Sequence, residues 1–348
     1  MEPLKITKFY EVILQILRHE SLTNTLIILM LKKTCKQIQE NLIDIKIDME
    51  EFPQNDVTIV LQHPDNYCNI HLTINNQLPK LCPNTSIRNL CIEHMVGIKD
   101  ITAIKHCASL EKLMFFDCHE LTDLTVLGEC ELLHTLTISC CDGVIDVSGL
   151  DNCKSLHTLN LRGCHDLTNI TALGLSTSLY KLYMSHCTTI TDISALGQCV
   201  GLHILNLHEC YSITELSGLE QSTSLHTLYL TECREVTDVS SLGQCASLHT
   251  LNLNCCIRLT DVSSLGQCAS LHTLNIRLCP ELTDISELGQ SLSLHTLNLS
   301  RCNRLKNVLC LEKCVSLHRI NIDMCQTLIE IIDLINKRPD IIITYNRL

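Results

Sequence analysis

The segment from 248 to 270 decides the fold. It reads LHTLNLNCCIRLTDVSSLGQCAS, and residues 271–293 that follow read LHTLNIRLCPELTDISELGQSLS. The same pattern recurs every 23 residues in eleven units without insertion or deletion, and the apolar residue that begins each unit stands at Ile87, Leu110, Leu133, Leu156, Leu179, Leu202, Leu225, Leu248, Leu271, Leu294 and Leu317. A repeat of this length is typical of a chain in which each unit stacks on the next.

The pattern inside a unit predicts one short strand followed by a compact return. The L-x-L pair has the strand period of two, which places both leucines on one face. A strand this short cannot bury that face alone, so successive units must form a parallel sheet. The T-D-[VI]-S stretch then returns the chain through a turn or short 3₁₀ segment, with the Asp, as at Asp192 or Asp261, capping its free backbone N–H groups.

The whole unit, L-x-x-L-x-L-x-x-C-x-x-[LI]-T-D-[VI]-S-x-L-G-x-C-x-S, resembles the leucine-rich repeat family, and is most similar to its internalin-like class with Cys in place of Asn. The resemblance implies an α/β solenoid, in which a parallel β-sheet arc faces a convex side of short 3₁₀ turns. We expect a helical segment at 1–42, an irregular β capping region at 43–86, the eleven repeats at 87–325 with the last one partial, and a helix-strand cap at 326–348.

The 24 cysteines follow the repeat. Ten units carry Cys at position nine and seven at position 21, so 17 of the 24 are periodic. In leucine-rich repeats the ninth residue lies inside the bend after the strand, where a buried free thiol can cap backbone groups. The N-terminus has no pattern of a secretory signal, so we expect reduced thiols in a cytoplasmic or nuclear protein. Of the seven cysteines outside the pattern, Cys140 and Cys255 are expected to be the most reactive.

Histidine and cysteine recur together as C-x-x-x-H in six units, for example Cys245 and His249. The Cys is an inward position and the His follows a core Leu, so the two side chains should point apart, whereas zinc needs converging ligands. We therefore predict no metal and no cofactor. Histidine stands at position two of eight units, which predicts an edge-on ladder of imidazole rings beside the sheet. Because neighbouring rings would repel each other when protonated, we expect their mean pKa to be lowered. A metal- or pH-responsive protein is the remote alternative.

Composition excludes several functions. A net charge of −12 with 3% aromatic residues argues against nucleic-acid binding, which uses basic surfaces and stacking platforms. The longest apolar run, Leu26 to Leu31, is far shorter than the ~20 residues of a membrane span. Each His and Cys of the repeats belongs to a column, and no nucleophile is singled out with one base. We therefore predict neither a catalytic residue nor an enzyme.

The sequence points to a protein partner on the concave face. Position three is mostly Thr and position five mostly Asn or Tyr, whereas positions seven and eight differ from unit to unit. A varied stripe on a uniform scaffold is typical of a protein-binding surface. Neutral variation of exposed residues is the alternative. The candidate partner-binding residues of this monomeric solenoid are Arg162, Tyr183, His186, His208, Glu209, Tyr229, Glu232, Asn254, Arg277, Arg301 and Asp323.

The first 42 residues do not follow the 23-residue repeat. The stretches EVILQIL (11–17) and LIILMLKKTCKQI (26–38) predict two or three amphipathic helices. They resemble a degenerate F-box without its leading Leu-Pro and without the aromatic residue after Lys36. The resemblance implies a substrate receptor of a ubiquitin ligase that holds a Skp1-like adaptor through Ile13, Ile16, Leu17, Leu29, Cys35 and Ile38. The alternative is a helical cap on a leucine-rich repeat scaffold, regulator or pathogen effector.

Overall fold

The structure is a computed structural model that describes residues 45–48, 58–59, 69–73, 80–81, 87–93, 97–325 and 331–345. Fourteen of its sixteen strands form one open, fully parallel sheet in chain order, from which only β2 and β4 are absent. The strands are β1 (Ile45–Asp48), β2 (Thr58–Ile59), β3 (Asn69–Thr73), β4 (Lys80–Leu81), β5 (Asn89–Glu93), β6 (Lys112–Phe116), β7 (Thr135–Ser139), β8 (Thr158–Asn160), β9 (Lys181–Tyr183), β10 (Ile204–Asn206), β11 (Thr227–Tyr229), β12 (Thr250–Asn252), β13 (Thr273–Asn275), β14 (Thr296–Asn298), β15 (Arg319–Asn321) and β16 (Ile342–Thr344).

The register of the sheet equals the sequence repeat. From β5 to β16, each strand residue pairs with the residue 23 positions further on, as Leu205 does with Leu228 in β10 and β11. The leucines therefore form continuous buried columns, and Leu205 and Leu228 are both fully buried. Unit-to-unit stacking buries a face that one strand could not bury alone, which confirms the predicted parallel sheet.

Short 3₁₀ turns form the opposite side, as predicted. They span Thr102–His106, Thr125–Glu129, Leu150–Asn152, Thr171–Leu175, Ser194–Gln198, Leu219–Gln221, Ser240–Gln244, Ser263–Gln267, Ser286–Gln290 and Leu309–Lys313. The Asp or Asn at position 14 accepts the backbone N–H two residues on, as Asp192 does from Ser194 at 2.8 Å. This confirms the capping role of the Asp column, and these hydrogen bonds to Ser194 lower the pKa of Asp192.

The sheet begins before the regular repeats. Strands β1 and β3 pair in parallel with each other, and β3 pairs with β5, so Ile45, Ile70 and Leu90 continue the ladder. Within the expected β capping region at 43–86, the strand around Ile59 does not join this sheet, because β2 pairs with β4 in a separate two-stranded sheet. The spacing of this segment is irregular, so the sequence does not show which of its strands pair with each other. The predicted helices at 1–42 lie outside the described residues.

The C-terminal end is closed by a helix and a strand. Helix α1 (Ile331–Lys337) is followed by β16, which pairs with β15 as the last strand of the sheet. The Arg338 guanidinium donates hydrogen bonds to the backbone carbonyls of Cys314 at 2.8 Å and Leu317 at 3.2 Å. These bonds satisfy acceptors at the end of the last repeat, as expected of a cap.

Candidate functional site

Positions seven and eight of each repeat lie at or just after the end of the strand, and we call them the stripe. In six units the Asn side chain at position five accepts the N–H of position seven, as Asn206 does from His208 at 2.9 Å. The residue at position eight has a positive φ, 58° at Glu209 for example, which only a left-handed backbone gives. The same turn therefore presents a different pair of side chains in every unit.

The candidate partner-binding residues fall into two groups by exposure. Arg162, Arg277 and Arg301 are exposed, and the rest are half-buried. The half-buried residues are Tyr183, His186, His208, Glu209, Tyr229, Glu232, Asn254 and Asp323. The adaptor residues predicted in the first 42 positions lie outside the described residues.

Charge is unevenly distributed along the stripe. Its middle carries Glu209 and Glu232, and Arg234 binds Glu232 at 2.7 Å while lying over the ring of Tyr211. The Tyr211 hydroxyl donates to the Glu209 carboxylate, which lowers the pKa of Glu209. In the two units that begin at Leu271 and Leu294 the stripe is basic, because Arg277 and Arg301 are exposed there, and the half-buried Asp323 follows in the last unit.

The periodic thiols are structural. The Cys210 thiol at position nine is fully buried and donates to the Met184 carbonyl of the preceding unit at 3.0 Å. A thiol of this column also accepts, as Cys141 does from the Cys118 N–H at 3.4 Å. Burial raises the pKa of Cys210 to about 12. All 21 cysteines in the described part of the chain are free. The geometry confirms that the ninth residue caps backbone groups.

Two cysteines outside the periodic columns lie on the stripe. Cys140 is exposed, whereas Cys255 is half-buried and burial raises its pKa. Cys140 is therefore the more accessible thiol of the two. No structural observation pairs either of them with a catalytic base.

The position-two histidines form a second column at the other end of the strands. Their rings stack face to face rather than edge-on, with centroids 4.7 Å apart for His226 and His249 and an angle of 7° between the planes. Tyr180 takes the place of a histidine and continues the stack to His157 and His203. This contribution of Tyr180 was not predicted, although its place at position two was the signal.

Desolvation lowers the pKa of a ladder histidine, and its neighbours lower it further. This holds for His157, His226 and His272, and the adjacent imidazoles are the second cause in each case. The predicted depression of the pKa is confirmed at these three positions. The C-x-x-x-H pairs do not converge, because Cys245 is fully buried in the core while His249 stands half-buried in the ring stack.

One cluster brings three potential metal ligands together. His186, His208 and Glu209 place one ligand atom each within 4.8 Å of one another, and no other such trio occurs among the residues that the structure describes. All three were predicted as partner-binding residues, and sequence reasoning missed their convergence. The signal was available: they occupy positions seven and eight of two adjacent units, which stacking brings side by side.

Comparison with solved structures gives the fold. The structure is similar to the crystal structure of an internalin from Listeria monocytogenes, with a TM-score of 0.50 and 20% identity over 80% of this chain and 86% of that chain. The fold is a leucine-rich repeat solenoid. No protein-family model and no curated protein matches the sequence.

Two other solved leucine-rich repeat structures are more distant from this solenoid. The leucine-rich repeat domain of the type III effector XopL has a TM-score of 0.47 and 16% identity, covering 72% of this chain and 80% of its own. The ectodomain of the Arabidopsis thaliana receptor kinase GASSHO1/SCHENGEN3, in complex with CASPARIAN STRIP INTEGRITY FACTOR 2, has a TM-score of 0.45 and 18% identity, covering 80% of this chain and 38% of its own. Within the described part of the solenoid, no helix has the length and apolarity needed to cross a bilayer.

Proposed function

We propose that this leucine-rich repeat solenoid is a non-enzymatic protein-interaction module whose partner lies along the stripe. The observation that carries the proposal is the contrast between scaffold and stripe. The backbone turn at positions seven and eight is the same from unit to unit, with a positive φ from Asp117 to Met324. The side chains on that turn differ from unit to unit, so the turn provides a rigid frame for specific contacts.

The charge pattern of the stripe indicates the chemistry of the partner. Arg277 and Arg301 stand in adjacent units, and both are exposed. Parallel strands lie about 4.8 Å apart, so these two guanidinium groups can contact one short acidic segment. A partner with acidic residues opposite these two arginines, and a basic residue opposite Glu232, would be complementary in charge.

Charge reversal tests this proposal with a matched control. The double variant Arg277→Glu/Arg301→Glu should lose the partner that full-length protein captures in proximity labelling and pull-down. The control Arg258→Glu/Arg304→Glu changes the charge equally at position eleven, where these residues bind Glu235 and Glu281 outside the stripe. Because exposed ion pairs contribute only about 0–1 kcal/mol, both variants should melt close to the wild type. Equal partner loss in both variants would refute a specific role of the stripe.

For the first 42 residues we propose an F-box-like role, in which they recruit a Skp1-like adaptor and present the partner to a ubiquitin ligase. The support is the sequence pattern of 11–17 and 26–38. The variants Leu17→Asp and Leu29→Asp should abolish co-purification of the adaptor while the stripe partner is retained. If full-length protein never retains an adaptor, the chain is a leucine-rich repeat scaffold or regulator without a ligase link.

We further propose a monomer that resides in the cytoplasm or nucleus. The ninth-position thiols support a reducing compartment, because a disulfide would remove the S–H donors that bind the preceding unit. Fluorescence microscopy of a tagged chain and light scattering of purified protein test the two statements. A secreted, disulfide-linked form or a stable dimer would contradict them.

A further inference from the structure

A metal site on the stripe would go beyond partner binding. The candidate residues, which we call the His-His-Glu cluster, are His186, His208 and Glu209. His186 Nδ1 lies 3.2 Å from Glu209 Oε2, and His208 Nε2 lies 2.9 Å from Glu209 Oε1. Ligand atoms around a tetrahedral zinc ion stand about 3.3 Å apart, given metal–ligand bonds of about 2.0–2.1 Å. The two nitrogen–oxygen distances, which run to different oxygens of the Glu209 carboxylate, lie near this value, and the three ligand atoms stay within 4.8 Å of one another.

Two acceptor groups, one at each ring nitrogen, flank the imidazole of His208. Its Nδ1 lies 3.1 Å from the backbone carbonyl oxygen of Thr231, which can only accept a hydrogen bond. Nδ1 must therefore carry a hydrogen, and in a neutral imidazole the lone pair of Nε2 then faces the Glu209 carboxylate. Two lone pairs at 2.9 Å repel each other unless a proton or a metal ion lies between them. The cluster thus favours a positive charge at one defined point.

Two outer hydrogen bonds orient the ligands. The Thr231 carbonyl fixes the ring of His208, and the Tyr211 hydroxyl donates to Oε2 of Glu209. Metal-binding histidines and carboxylates are usually held by outer partners of this kind, which set the tautomer and the ring orientation. The three ligand side chains are between 22% and 33% exposed, so an ion from solvent can reach them.

The backbone makes the cluster rigid. His186 and Glu209 both stand at position eight, with φ values of 62° and 58°. His208 N–H is bound by the Asn206 side chain at 2.9 Å, and the Glu209 N–H donates to the Thr231 carbonyl at 2.9 Å. The ligands therefore sit on two adjacent stacked turns. Little conformational entropy has to be lost on binding an ion.

We propose that His186, His208 and Glu209 bind one divalent transition-metal ion of the zinc class, with a water molecule at the fourth position. Two imidazole nitrogens and one carboxylate are a ligand set that zinc accepts, whereas calcium and magnesium prefer oxygen ligands alone. The buried thiols do not compete for the ion in the folded chain. Both Cys187 and Cys210 are fully buried in the core, and burial raises the pKa of each thiol, which keeps it protonated.

The test uses the full chain, freed of metal by a chelator and kept reduced, with Zn²⁺ in calorimetry and Co²⁺ as the spectroscopic probe. We expect one equivalent of Zn²⁺ per chain, and visible Co²⁺ bands without thiolate charge-transfer bands. His208→Ala and Glu209→Ala should weaken Zn²⁺ binding roughly a hundredfold, and Tyr211→Phe, which removes an outer partner, about tenfold. The control His249→Ala removes a histidine from the ring stack and should leave the affinity unchanged.

A second measurement uses the wild-type chain, so it does not depend on the folding of any variant. Zn²⁺ should protect His186 and His208 from diethylpyrocarbonate, measured by mass spectrometry of the peptides, and should not protect His249. Absence of Zn²⁺ binding, unchanged affinity in His208→Ala and Glu209→Ala, thiolate bands with Co²⁺, or protection of His249 alone would each overturn the proposal.

Discussion

The variant Gly266→Ala tests whether the stacking of the 3₁₀ turns sets the stability of the solenoid. A Cβ atom at Gly266 would lie 2.0 Å from the carbonyl oxygen of Glu287 in the next unit and 2.6 Å from its carbonyl carbon. Because carbon–oxygen contacts in proteins stand at about 3.3 Å, the two turns must separate by about 1.3 Å. The neighbour is backbone, so no side-chain rotation can relieve the contact.

The expected loss in the free energy of unfolding is the cost of overpacking minus the gain from restricting the unfolded chain. Overpacking of a well-packed interior costs about 1–3 kcal/mol, and we take about 3 kcal/mol because backbone must move. Replacing Gly by Ala returns about 0.4–1 kcal/mol by restricting the unfolded chain. Gly266 has no positive φ, so backbone strain adds nothing. Gly266→Ala should therefore lower the free energy of unfolding by about 2 kcal/mol or more.

The assay is urea unfolding followed by far-UV circular dichroism, with hydrogen exchange to locate the loss. Gly201→Ala is the matched control, because its Cβ would stand 3.0 Å from the nearest atom, the Leu179 carbonyl oxygen. Gly289→Ala and Gly243→Ala, with clashes at 2.2 and 2.6 Å, should rank between the two. Exchange should accelerate first at the interface of the units that contain Gly266 and Glu287. Equal urea midpoints for Gly266→Ala and Gly201→Ala would refute the reasoning.

Three further predictions concern the columns and the caps. Desolvation and the neighbouring imidazoles lower the pKa of His226 below its usual value of 6.5. The group therefore leaves the free energy of unfolding unaffected above pH 6.5 and reduces it as the pH drops below 6.5. His226→Asn should reduce the slope of unfolding free energy against pH between pH 7 and 5, and an unchanged slope would contradict this. Asp192→Ala should cost about 1 kcal/mol in urea unfolding at pH 7 through the lost hydrogen bond from the Ser194 N–H. Because the hydrogen bonds from Ser194 lower the pKa of Asp192, the cost should shrink as the pH falls below 3.8 and through the lowered pKa of the folded state, where the carboxyl group becomes protonated. Iodoacetamide should label the exposed Cys140 in the folded chain and the buried Cys210 only after unfolding. Peptide mass spectrometry measures the labelling. Labelling of Cys210 in the folded chain would contradict this and show that its unit opens locally.

The repeat alone predicted most of the fold. The spacing from Leu110 to Leu317 placed the strands, and the short return excluded full helices. The inward or outward direction of each position also followed from the pattern, as for the buried Cys210 and the surface His249. These predictions succeeded because each unit packs against a near copy of itself. One unit therefore contains almost all the information about its own neighbours.

The predictions were weaker where the repeat is irregular or where side chains of adjacent units meet. Within 43–86, where we expected an irregular β capping region, β1 and β3 belong to the main sheet, whereas the spacing did not indicate that β2 and β4 pair in a separate sheet. The histidine rings were expected edge-on, but aromatic rings at a spacing of about 4.8 Å fit better when stacked. The stripe residues were predicted from the sequence variation at positions seven and eight. That variation gives no information on which of their side chains are in contact.

What the sequence determined by itself is the solenoid: its period, its parallel register and the burial of its leucines and cysteines. It did so because those features depend on spacing within one unit. Only the tertiary structure decided the His-His-Glu cluster and the continuation of the ring stack through Tyr180. Both depend on how a side chain of one unit is aimed at the next, since the left-handed turn at position eight directs His186 and Glu209 toward each other. Stacking converts a distance of 23 residues along the chain into direct contact, and the chemistry of the stripe arises from that contact.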